Sequence, residues 1–440
     1  MRWIIYNILF AIGYFLMMPS FLRRMWKRGG YRAHFGQRLG RYKPEVAAAL
    51  AARERIWVHA VSVGESFVAG KLLEELRGQS PDLAFVLSTT SSTGYEVCRQ
   101  FVNDEDVLIY FPTDFPHVVR RALDVVRPKA LVLTESELWL NMLRACERRG
   151  IPLYLANGRI SDRSFPRYRL LRGFFAPVLR SFRLLMAQYE MDRERLIAMG
   201  ADSAAVRVMG NVKFDVVPPD EAVCQRMAAD LRSYGFAEGA TVLLGASTWP
   251  GEEAVLLQAY RDLRERHPDL RLILVPRHME RGDEVEAAVV AAGYECLRRS
   301  RILRQADGPG EVADDAVLLA DTTGELLAFH TLATVVFVGK TLDPSIGGQN
   351  MIEPAALGRA VIVGPHTENF AGAMAILRGA EALREIADAT ELASEIGRLL
   401  DDPDERAALG QRAAETVVAQ AGVVYRSASA ILADLEKEKE

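Results

Sequence analysis

The 440-residue sequence is poor in cysteine, and its few cysteines have no metal-binding or disulfide spacing. Only four are present, Cys98, Cys146, Cys224 and Cys296, and they lie far apart without a CxxC pair. Zinc sites need closely spaced pairs, and small secreted folds need a dense disulfide framework. The sequence therefore argues against both classes and predicts a reducing compartment.

Two nucleotide-binding signatures are also missing. No GxGxxG follows a predicted strand, and the one GK[ST] match, at residues 339–341, has Thr334 where a P-loop has its first glycine. NAD binding and P-loop activity are therefore unsupported, and we expect no cofactor. The acidic run at residues 104–106 has the outline of a metal-binding DxD, but it precedes a strand in a polar loop. We therefore predict no metal ion.

Acidic residues are absent from the first 44 positions. That stretch carries nine Lys or Arg, whereas the rest of the chain carries 45 basic and 58 acidic residues. A nucleic-acid-binding domain would carry its basic charge on the globular part. The basic charge here is local to the N-terminus, so we expect no nucleic-acid partner.

The N-terminus combines an apolar run with a basic cluster. Residues 3–22 carry no charge, and five basic residues follow between positions 23 and 32. Twenty helical residues span about 30 Å, the thickness of a bilayer core, and basic clusters favour the cytoplasmic side. The pattern predicts a membrane anchor at residues 1–22, a basic juxtamembrane segment at 23–50 and a cytoplasmic globular part. Asn7 and Pro19 leave a single-pass helix and an in-plane helix both open, and a buried core helix is the third alternative.

Beyond Pro44, short β-branched runs alternate with longer amphipathic stretches such as residues 65–76 and 137–149. This alternation is typical of parallel βα units. Strands are predicted at residues 56–60, 84–89, 107–110, 130–134, 152–156, 184–187, 205–208, 241–245, 271–275, 317–319, 335–338 and 360–363. The predicted domains are an N-terminal Rossmann-like domain (51–217), a linker and helix (218–238) and a C-terminal Rossmann-like domain (239–440) whose last helices can return to the first. Ligands in such sheets bind beyond the carboxyl ends of the strands, so residues just after strands are the candidates.

The first two strands are followed by small and hydroxyl-bearing residues. The backbone near Ser62 and Gly64 can approach a ligand closely, and Glu65 lies at the start of a helix. A carboxylate there either stabilises the helix dipole or acts as a base toward an acceptor hydroxyl. Ser91 and Ser92 either bind phosphate or sugar oxygens or cap the next helix. Spacing alone leaves both alternatives open at both places.

Charged residues follow the later strands of the first half. Glu135 and Glu137 stand together after the fourth strand, and such a pair is unfavourable unless one is protonated or both meet donors. Four arginines, Arg159 and Arg163 among them, fall within eleven residues. They suit an anionic acceptor, although a solvated basic loop fits equally well. Lys213 follows the last strand of this half and is suited to stabilising negative charge.

The second half repeats the arrangement of strand, small-residue turn and helix start. Its turns contain the candidate donor-site residues, which are Ser247, Thr248, Pro276, Arg277, Gly324, Glu325, Leu326, Gly348, Asn350, Met351, Ile352 and Glu353. The glycine-rich turn before Glu353 opens a helix whose amides suit a phosphate, and Glu353 suits both hydroxyls of a ribose. Together the turns predict a nucleotide-sugar site between two domains.

Nine segments, in order, resemble the 3-deoxy-D-manno-octulosonic acid (Kdo) transferase family over nearly the whole chain. They are HAVSVGES at 59–66, TTSSTGYE at 89–96, TESELWLN at 134–141, NGRISDRSF at 157–165, GNVKFD at 210–215, GASTWPGEE at 245–253, PRHMER at 276–281, DTTGEL at 321–326 and GGQNMIEPAALGRAVIVGP at 347–365. The resemblance implies a GT-B fold, with two Rossmann-like doubly wound parallel-sheet domains facing a cleft and an N-terminal membrane-anchor helix. It also implies CMP-Kdo as donor, the lipid A precursor (lipid IVA) as acceptor in lipopolysaccharide biosynthesis, and a cytoplasm-facing location at the inner membrane.

The resemblance also implies roles for individual residues. Glu65 becomes the general base, and Glu135 and Lys213 stabilise the transition state of an inverting, metal-independent transfer. The donor site falls on the second-half residues named above. The acceptor-binding candidates are Ser62, Gly64, Ser91, Ser92, Arg159 and Arg163.

Several positions depart from the family pattern. Gln349 replaces the usual histidine, Lys340 stands where a second glycine is common, Leu140 stands where proline normally follows the tryptophan, and Trp249-Pro250 replaces a frequent His-Glu pair. Two other functions remain open. One is a nucleotide-sugar 2-epimerase on the same fold, which has no use for a membrane anchor, and the other is a non-catalytic membrane-tethered scaffold.

Overall fold

The computed structural model describes residues 2–28, 32–305, 310–343 and 347–437, without the side chains of residues 24–33. Most of the predicted basic cluster therefore lies outside the described side chains. The chain divides into two compact units. The first unit contains Met1–Val212 and Gly422–Glu440, and the second contains Lys213–Ala421.

A seven-stranded parallel sheet forms the centre of the first unit. Its strands are β1 (Ile56–Ala60), β2 (Phe85–Thr89), β3 (Val107–Tyr110), β4 (Ala130–Thr134), β5 (Leu153–Gly158), β6 (Phe182–Ala187) and β7 (Val206–Val208). They lie in the order β3-β2-β1-β4-β5-β6-β7. The inner strands are buried along their whole length because helices cover both faces, and they accordingly read as continuous apolar runs. The strand order reverses between β1 and β4, which is the switch point of the sheet.

Nine helices of the first unit precede the second unit in the described part of the chain. They are α1 (Arg2–Arg28), α2 (Pro44–Ala51), α3 (Val63–Gln79), α4 (Ser92–Cys98), α5 (Pro116–Val126), α6 (Leu140–Glu147), α7 (Phe165–Leu170), α8 (Arg172–Leu179) and α9 (Glu190–Met199), with a 3-10 segment at Arg32–Leu39. The strongly amphipathic α5 illustrates their packing. Pro116 occupies its first turn, where no N–H is needed, and Val119 and Leu123 are fully buried in the core.

Helix α1 lies with one face on the first unit. Tyr6 donates a hydrogen bond to Asp114 Oδ2 at 2.7 Å, and Asn7 accepts one from Asn141 at 2.7 Å. Large apolar side chains are exposed on the rest of the helix, namely Ile4, Ile5, Ile8, Leu9, Ile12, Phe15, Leu16 and Met17. Within the described residues, the stretches Arg2–Arg23 and Pro403–Lys437 are long and apolar enough to cross a membrane. The second stretch contributes buried residues to the protein cores. Its length and composition are therefore weak evidence that it crosses a membrane.

The second unit contains another seven-stranded parallel sheet. Its strands are β8 (Val242–Thr248), β9 (Arg271–Pro276), β10 (Cys296–Arg298), β11 (Val317–Leu319), β12 (Val335–Val338), β13 (Ala360–Val363) and β14 (Arg384–Glu385). They lie in the order β10-β11-β9-β8-β12-β13-β14, so the switch point falls between β8 and β12. Each unit is thus a Rossmann-like parallel sheet, which confirms the predicted fold class.

Helices cover both faces of this second sheet. They are α10 (Glu221–Ser233), α11 (Glu252–Arg264), α12 (Gly282–Ala291), α13 (Arg299–Ile302), α14 (Leu326–Leu332), α15 (Ile352–Ala356), α16 (Ala371–Gly379), α17 (Leu392–Asp401) and α18 (Pro403–Gln420), with 3-10 turns at Val212–Phe214, Met279–Arg281, Glu368–Phe370 and Ala389–Glu391. The core contains the fully buried Phe337 of β12 and Tyr260 of α11.

The last helix, α19 (Val423–Lys437), belongs to the first unit. It packs against α3, and its Ala428 and Ile431 are fully buried in the first core. The hydroxyl of Tyr154 donates to Asp434 Oδ2 at 2.7 Å. The chain therefore returns to the first unit after completing the second.

Candidate functional site

Glu65 lies in the first turn of α3, directly after β1. Ser62 caps this helix, because its hydroxyl accepts a hydrogen bond from the Glu65 amide at 3.2 Å. The Glu65 side chain belongs to a residue only 7% exposed. Its Oε2 accepts a hydrogen bond from the Val61 amide at 3.0 Å and lies 3.4 Å from the Thr134 hydroxyl oxygen. No donor to Oε1 is found among the described residues, so the hydrogen bonds found for this carboxylate are all on Oε2.

The position of Glu65 coincides with the switch point of the first sheet. Glu65 follows β1 and Glu135 follows β4, and these strands are direct neighbours in which His59 pairs with Leu133. The Thr134 hydroxyl also donates to the His59 carbonyl at 2.9 Å, which ties the two strand ends together. Switch points are where ligands bind in doubly wound sheets. The sequence analysis did not select Thr134, although its place at a strand end beside two acids was a usable signal.

Glu135 and Glu137 add negative charge next to Glu65. Burial and the charges of Glu65 and Glu135 raise the pKa of Glu137 to about 7. Glu137 is thus partly protonated at neutral pH, which relieves the repulsion expected of such a pair. Glu135 has a φ of 56°, a left-handed conformation that is uncommon outside glycine and that occurs more often at functional sites.

The serines of the neighbouring turns act as helix caps. Ser91 accepts a hydrogen bond from the Gly94 amide at 3.0 Å at the start of α4, as Ser62 does at the start of α3. Ser92 is half-buried and Gly64 is exposed. A side chain at Gly64 would meet nothing closer than the Ser62 hydroxyl at 4.0 Å. Any acceptor contact by the two capping serines would therefore be additional to capping.

The arginine loop after β5 divides into a held part and a solvated part. Arg159 is half-buried and lies within electrostatic reach of Asp192, whose carboxylate accepts a hydrogen bond from the Ile160 amide at 2.8 Å. Arg163 is exposed. The loop thus contains a half-buried guanidinium at Arg159 and an exposed one at Arg163.

In the second unit, the candidates Ser247 and Thr248 lie at the switch point between β8 and β12. Thr248 is fully buried, and its hydroxyl donates to Glu253 Oε1 at 2.7 Å. Gly339 follows β12, and a Cβ there would meet the Ser247 carbonyl oxygen and would come within 2.6 Å of Thr248 Cα. The two strand ends therefore touch through their backbones. Glycine is required at 339 for that reason.

A buried carboxylate, Glu252, closes the loop after β12. It is 2% exposed, and its oxygens accept four hydrogen bonds of 2.8–3.1 Å from the amides of Trp249, Lys340, Thr341 and Leu342. Burial raises the pKa of Glu252, and the four amides oppose that rise. Sequence reasoning missed this role, although an acid in the first turn after a strand is the same signal that selected Glu65.

The glycine-rich turn before α15 presents one polar pair. Asn350 donates to Glu353 Oε1 at 2.9 Å and accepts from the Ile352 amide at 3.1 Å. The side chains of Met351 and Ile352 belong to residues that are fully buried. The accessible polar groups of this turn are therefore those of Asn350 and Glu353, which are half-buried. Gly348 has a φ of 95°, which favours glycine.

Glu325 and Arg277, two further candidates for the sugar-donor site, differ in whether their charged groups are already bound within the protein. Burial opposes ionisation of Glu325, but Arg299 at 2.6 Å and 2.8 Å and the Thr322 hydroxyl hold the pKa of Glu325 below its ordinary value. Its carboxylate is thus occupied within the unit. Arg277 is exposed at the end of β9, and its amide donates to the Thr248 carbonyl at 3.0 Å.

Among the remaining donor candidates, Gly324 and Ser247 have positive φ values of 84° and 56°. Pro276 is buried and Leu326 is half-buried. These residues set the backbone path at the strand ends. The charged and amide side chains of the candidate site include those of Arg277, Asn350 and Glu353.

Lys213 groups with the second unit, whereas the sequence had assigned it to the end of the first domain. Its ammonium group lies 4.3 Å from the centre of the Phe370 ring, which belongs to the second unit. Glu65 and Glu135 thus belong to one unit and Lys213 to the other. In the described ranges, no group of three or more His, Cys, Asp or Glu side chains is arranged to hold a metal ion.

Comparison with known proteins shows to which family the chain belongs. The family model described as 3-Deoxy-D-manno-octulosonic-acid transferase (kdotransferase) matches residues 33–216. The 3-deoxy-D-manno-octulosonic acid transferase of Bordetella pertussis is 34% identical over 421 residues, which cover 92% of this chain and 94% of the relative. The chain belongs to the Kdo transferase family. The enzyme of the same description from Haemophilus influenzae is 31% identical over 399 residues, 90% of each chain.

The fold of this Kdo transferase family member matches solved structures. A glycosyltransferase from Rickettsia africae ESF-5 superimposes with a TM-score of 0.59 at 12% identity, covering 88% of this chain and 99% of that one. At that identity the likeness concerns the fold alone, and it agrees with two Rossmann-like domains. Family membership makes the chain a glycosyltransferase that transfers Kdo. It thereby favours transfer over the epimerase and scaffold alternatives.

Proposed function

We propose that this Kdo transferase moves Kdo from CMP-Kdo to the glucosamine disaccharide of the lipid A precursor, lipid IVA, with inversion and without a metal ion. The observation that carries the proposal is the geometry of Glu65. Its carboxylate is almost fully buried at a strand switch point, and one oxygen is fixed by the Val61 amide. A carboxylate fixed in this way is suited to accept a proton in a defined direction.

The proposed reaction is a single displacement. The acceptor hydroxyl gives its proton to Glu65 Oε1, and its oxygen forms a bond to the anomeric carbon of Kdo. The bond between that carbon and the phosphate oxygen breaks on the opposite side, and CMP leaves with the electron pair. One displacement inverts the configuration at the carbon. Glu135 offers negative charge to the cationic character of the sugar in the transition state, and Lys213 offers positive charge to the departing phosphate.

The donor is assigned to the second unit. The polar pair Asn350 and Glu353 suits the hydroxyls of the cytidine ribose, since both side chains are half-buried and hydrogen-bonded to each other at 2.9 Å. The exposed guanidinium of Arg277 suits the phosphate. Cationic side chains in these positions would take over the charge neutralisation that a metal ion provides in other transferases.

The acceptor and the membrane are assigned to the first unit. Arg159 and Arg163 suit the anionic groups of the glycolipid, with Arg159 held near Asp192. The exposed apolar side chains of α1 suit insertion into the inner membrane, and the basic cluster after residue 22 favours its cytoplasmic face. A lipid acceptor is consistent with this placement because it resides in the same membrane.

The proposal is tested by incubating the full chain with CMP-Kdo and lipid IVA and counting added Kdo units by mass spectrometry. Glu65→Ala is expected to lower the transfer rate by about 10²–10⁴, the usual contribution of a general base. Calorimetry should find CMP-Kdo binding unchanged, because Glu65 belongs to the first unit. Glu74→Ala, at an exposed position of the same helix, is the matched control and should transfer normally. Normal transfer by Glu65→Ala would refute the base, and an altered free nucleotide-sugar as product would refute the transfer.

A further inference from the structure

An apolar cavity lies between α1 and the carboxyl edge of the first sheet. Its volume is about 640 Å³, within the range of about 300–1,000 Å³ typical of small-molecule sites. The helix contributes one wall and the strand ends contribute the other, and the main lining residues are Phe10, Tyr14, Met18, Val61, Phe111 and Trp139. The lining is dominated by aromatic and aliphatic side chains. The cavity therefore suits a hydrocarbon ligand.

The cavity is adjacent to the proposed catalytic base. Val61 forms part of its wall, and the Val61 amide donates the 3.0 Å hydrogen bond that fixes Glu65 Oε2. Thr90 also lines the cavity, and its hydroxyl lies 3.4 Å from the Val61 carbonyl oxygen. A ligand in the cavity would thus end next to the residue that receives the proton.

The charged residues that line this mainly apolar space, within the described ranges, are Arg38 and Asp114, and the Asp114 carboxylate is already held by Tyr6 and two backbone amides. Arg38 is 8% exposed and donates a hydrogen bond to the Thr90 carbonyl at 2.7 Å. Its guanidinium lies 4.1 Å from the centre of the Tyr110 ring and 5.5 Å from that of Phe21 on α1. A wall that combines hydrocarbon contact with one fixed cation matches an amphiphile, namely an acyl chain joined to a polar or anionic head group.

We propose that the cavity binds one acyl chain of the acceptor glycolipid, with α1 as one wall. The inference rests on the proposed lipid acceptor and adds to it a defined subsite. Anchoring the chain beside Val61 would hold the sugar hydroxyl near Glu65, so binding energy from a remote part of the substrate would serve the reaction. Helix α1 then contributes to acceptor recognition as well as to membrane attachment.

Gly13 offers a direct test, because it lies on α1 and lines the cavity. A Cβ at this position meets no atom within 4 Å, so a side chain can start there without displacing the backbone, and we expect a phenylalanine ring to occupy part of the cavity. Gly13→Phe is expected to lower kcat/KM for acylated lipid IVA by about tenfold or more, because it displaces several buried methylene groups. The deacylated disaccharide should be transferred as by the unchanged chain. The matched control, Ile12→Phe, adds the same ring to a residue that is 53% exposed and should leave both acceptors unaffected.

A second measurement uses the unchanged chain and lipid IVA bearing a photoreactive group on an acyl chain. Crosslinks mapped by mass spectrometry are expected at cavity residues such as Met18 and Phe111. Crosslinks confined to exposed residues of α1 such as Leu9 and Leu16 would mean contact with the bulk membrane and would overturn the inference. A photoreactive phospholipid that labels the cavity equally, without competition from lipid IVA, would overturn it as well.

The kinetic outcomes separate this inference from the proposed function. Equal loss on the acylated and deacylated acceptors, or no loss on the acylated one, would contradict the acyl-chain subsite while leaving Kdo transfer intact. Absence of transfer to lipid IVA by the unchanged chain would instead contradict the proposed acceptor itself.

Discussion

The ammonium group of Lys340 lies 4.4 Å from the centre of the Trp249 ring. Both positions depart from the pattern of the family that the sequence resembles. Lys340 has a φ of 60°, a left-handed conformation that costs roughly 1–2 kcal/mol for a residue with a Cβ. A cation over an indole ring contributes about 0.5–1 kcal/mol at an exposed site and more when desolvated. The two departures are therefore physically coupled, since the lysine offsets part of its own backbone strain through the tryptophan.

This coupling predicts an order of stability among variants at position 340. Lys340→Ala keeps the strain and loses the cation, so its Tm should fall by about 2–4 °C, the shift expected for roughly 1 kcal/mol in a unit of this size. Lys340→Gly loses both and should melt close to the unchanged protein. In a Trp249→Leu background, Lys340→Ala should cause no further loss. If Lys340→Ala lowers the Tm by the same amount in that background, the lysine is not stabilised by the tryptophan ring.

A second prediction concerns Glu137 and pH. Its pKa is about 7 in the folded protein against an ordinary value of 4.5. Between these values the folded state binds more protons than the unfolded state, so this group lowers stability as pH rises from about 4.5 to about 7 and has no further effect above. Glu137→Gln should therefore show a smaller fall in Tm than the unchanged protein across that window.

The comparison between these two proteins cancels other titrating groups. Asp114, whose pKa burial raises to about 6, contributes to both curves in the same way. Glu147→Gln, at an exposed position of α6, serves as the control and should follow the unchanged protein. Parallel Tm curves for Glu137→Gln and the unchanged protein would show that folding does not raise the pKa of Glu137.

A third prediction concerns the attachment of α1. The Tyr6 hydroxyl donates to Asp114, which is fully buried and also accepts hydrogen bonds from the amides of Asn141 at 3.0 Å and Met142 at 2.8 Å. Removing one donor from a buried carboxyl group costs about 1.5–3 kcal/mol. Tyr6→Phe should therefore increase hydrogen exchange in residues 2–22, as measured by mass spectrometry.

The control for this prediction lies two turns further along α1. Tyr14 packs edge-on against Phe115, and no hydrogen bond of its hydroxyl is found among the described residues. Tyr14→Phe should leave exchange unchanged. If Tyr6→Phe and Tyr14→Phe behave alike, the aromatic contacts hold α1 and the hydrogen bond to Asp114 does not.

Periodicity located most strands because their residues are apolar and buried. The predicted strands coincide with β1–β9 and β11–β13 to within three residues at each end. The sequence missed β10 and β14, which have only three and two residues and contain Arg298, Arg384 and Glu385. Edge strands of this kind lack an apolar run, so no local signal distinguishes them from loops. The helix predicted at 137–149 begins only at Leu140, because Glu135 and Ser136 form a turn and residues 137–139 have no regular structure.

In the candidate site, too, residues marked by a local sequence pattern could be predicted, and residues brought in from distant positions could not. Glu65 could be found because a strand, a small-residue turn and a helix start are adjacent in sequence. The Thr134 hydroxyl that approaches Glu65, and Asp114, which holds Tyr6, come from positions 69 and 108 residues away. Sheet topology brings such residues together, and a single sequence carries no pattern that pairs them. The cavity beside α1 was unpredictable for the same reason.

A last prediction concerns the contact between the strand ends at the second switch point. Gly339→Ala would place a methyl group within 2.6 Å of Thr248 Cα and even closer to the Ser247 carbonyl oxygen. Overpacking of this kind costs about 1–3 kcal/mol and shifts the backbone. Because the proposed CMP-Kdo residues Ser247 and Thr248 would move with it, affinity for CMP-Kdo measured by calorimetry should fall together with Tm. Gly379→Ala is the control, since a Cβ there meets nothing within 4 Å, and it should change neither quantity. A lower Tm with full donor affinity would mean that this switch point supports the fold only, and the donor residues would then have to be sought away from β8.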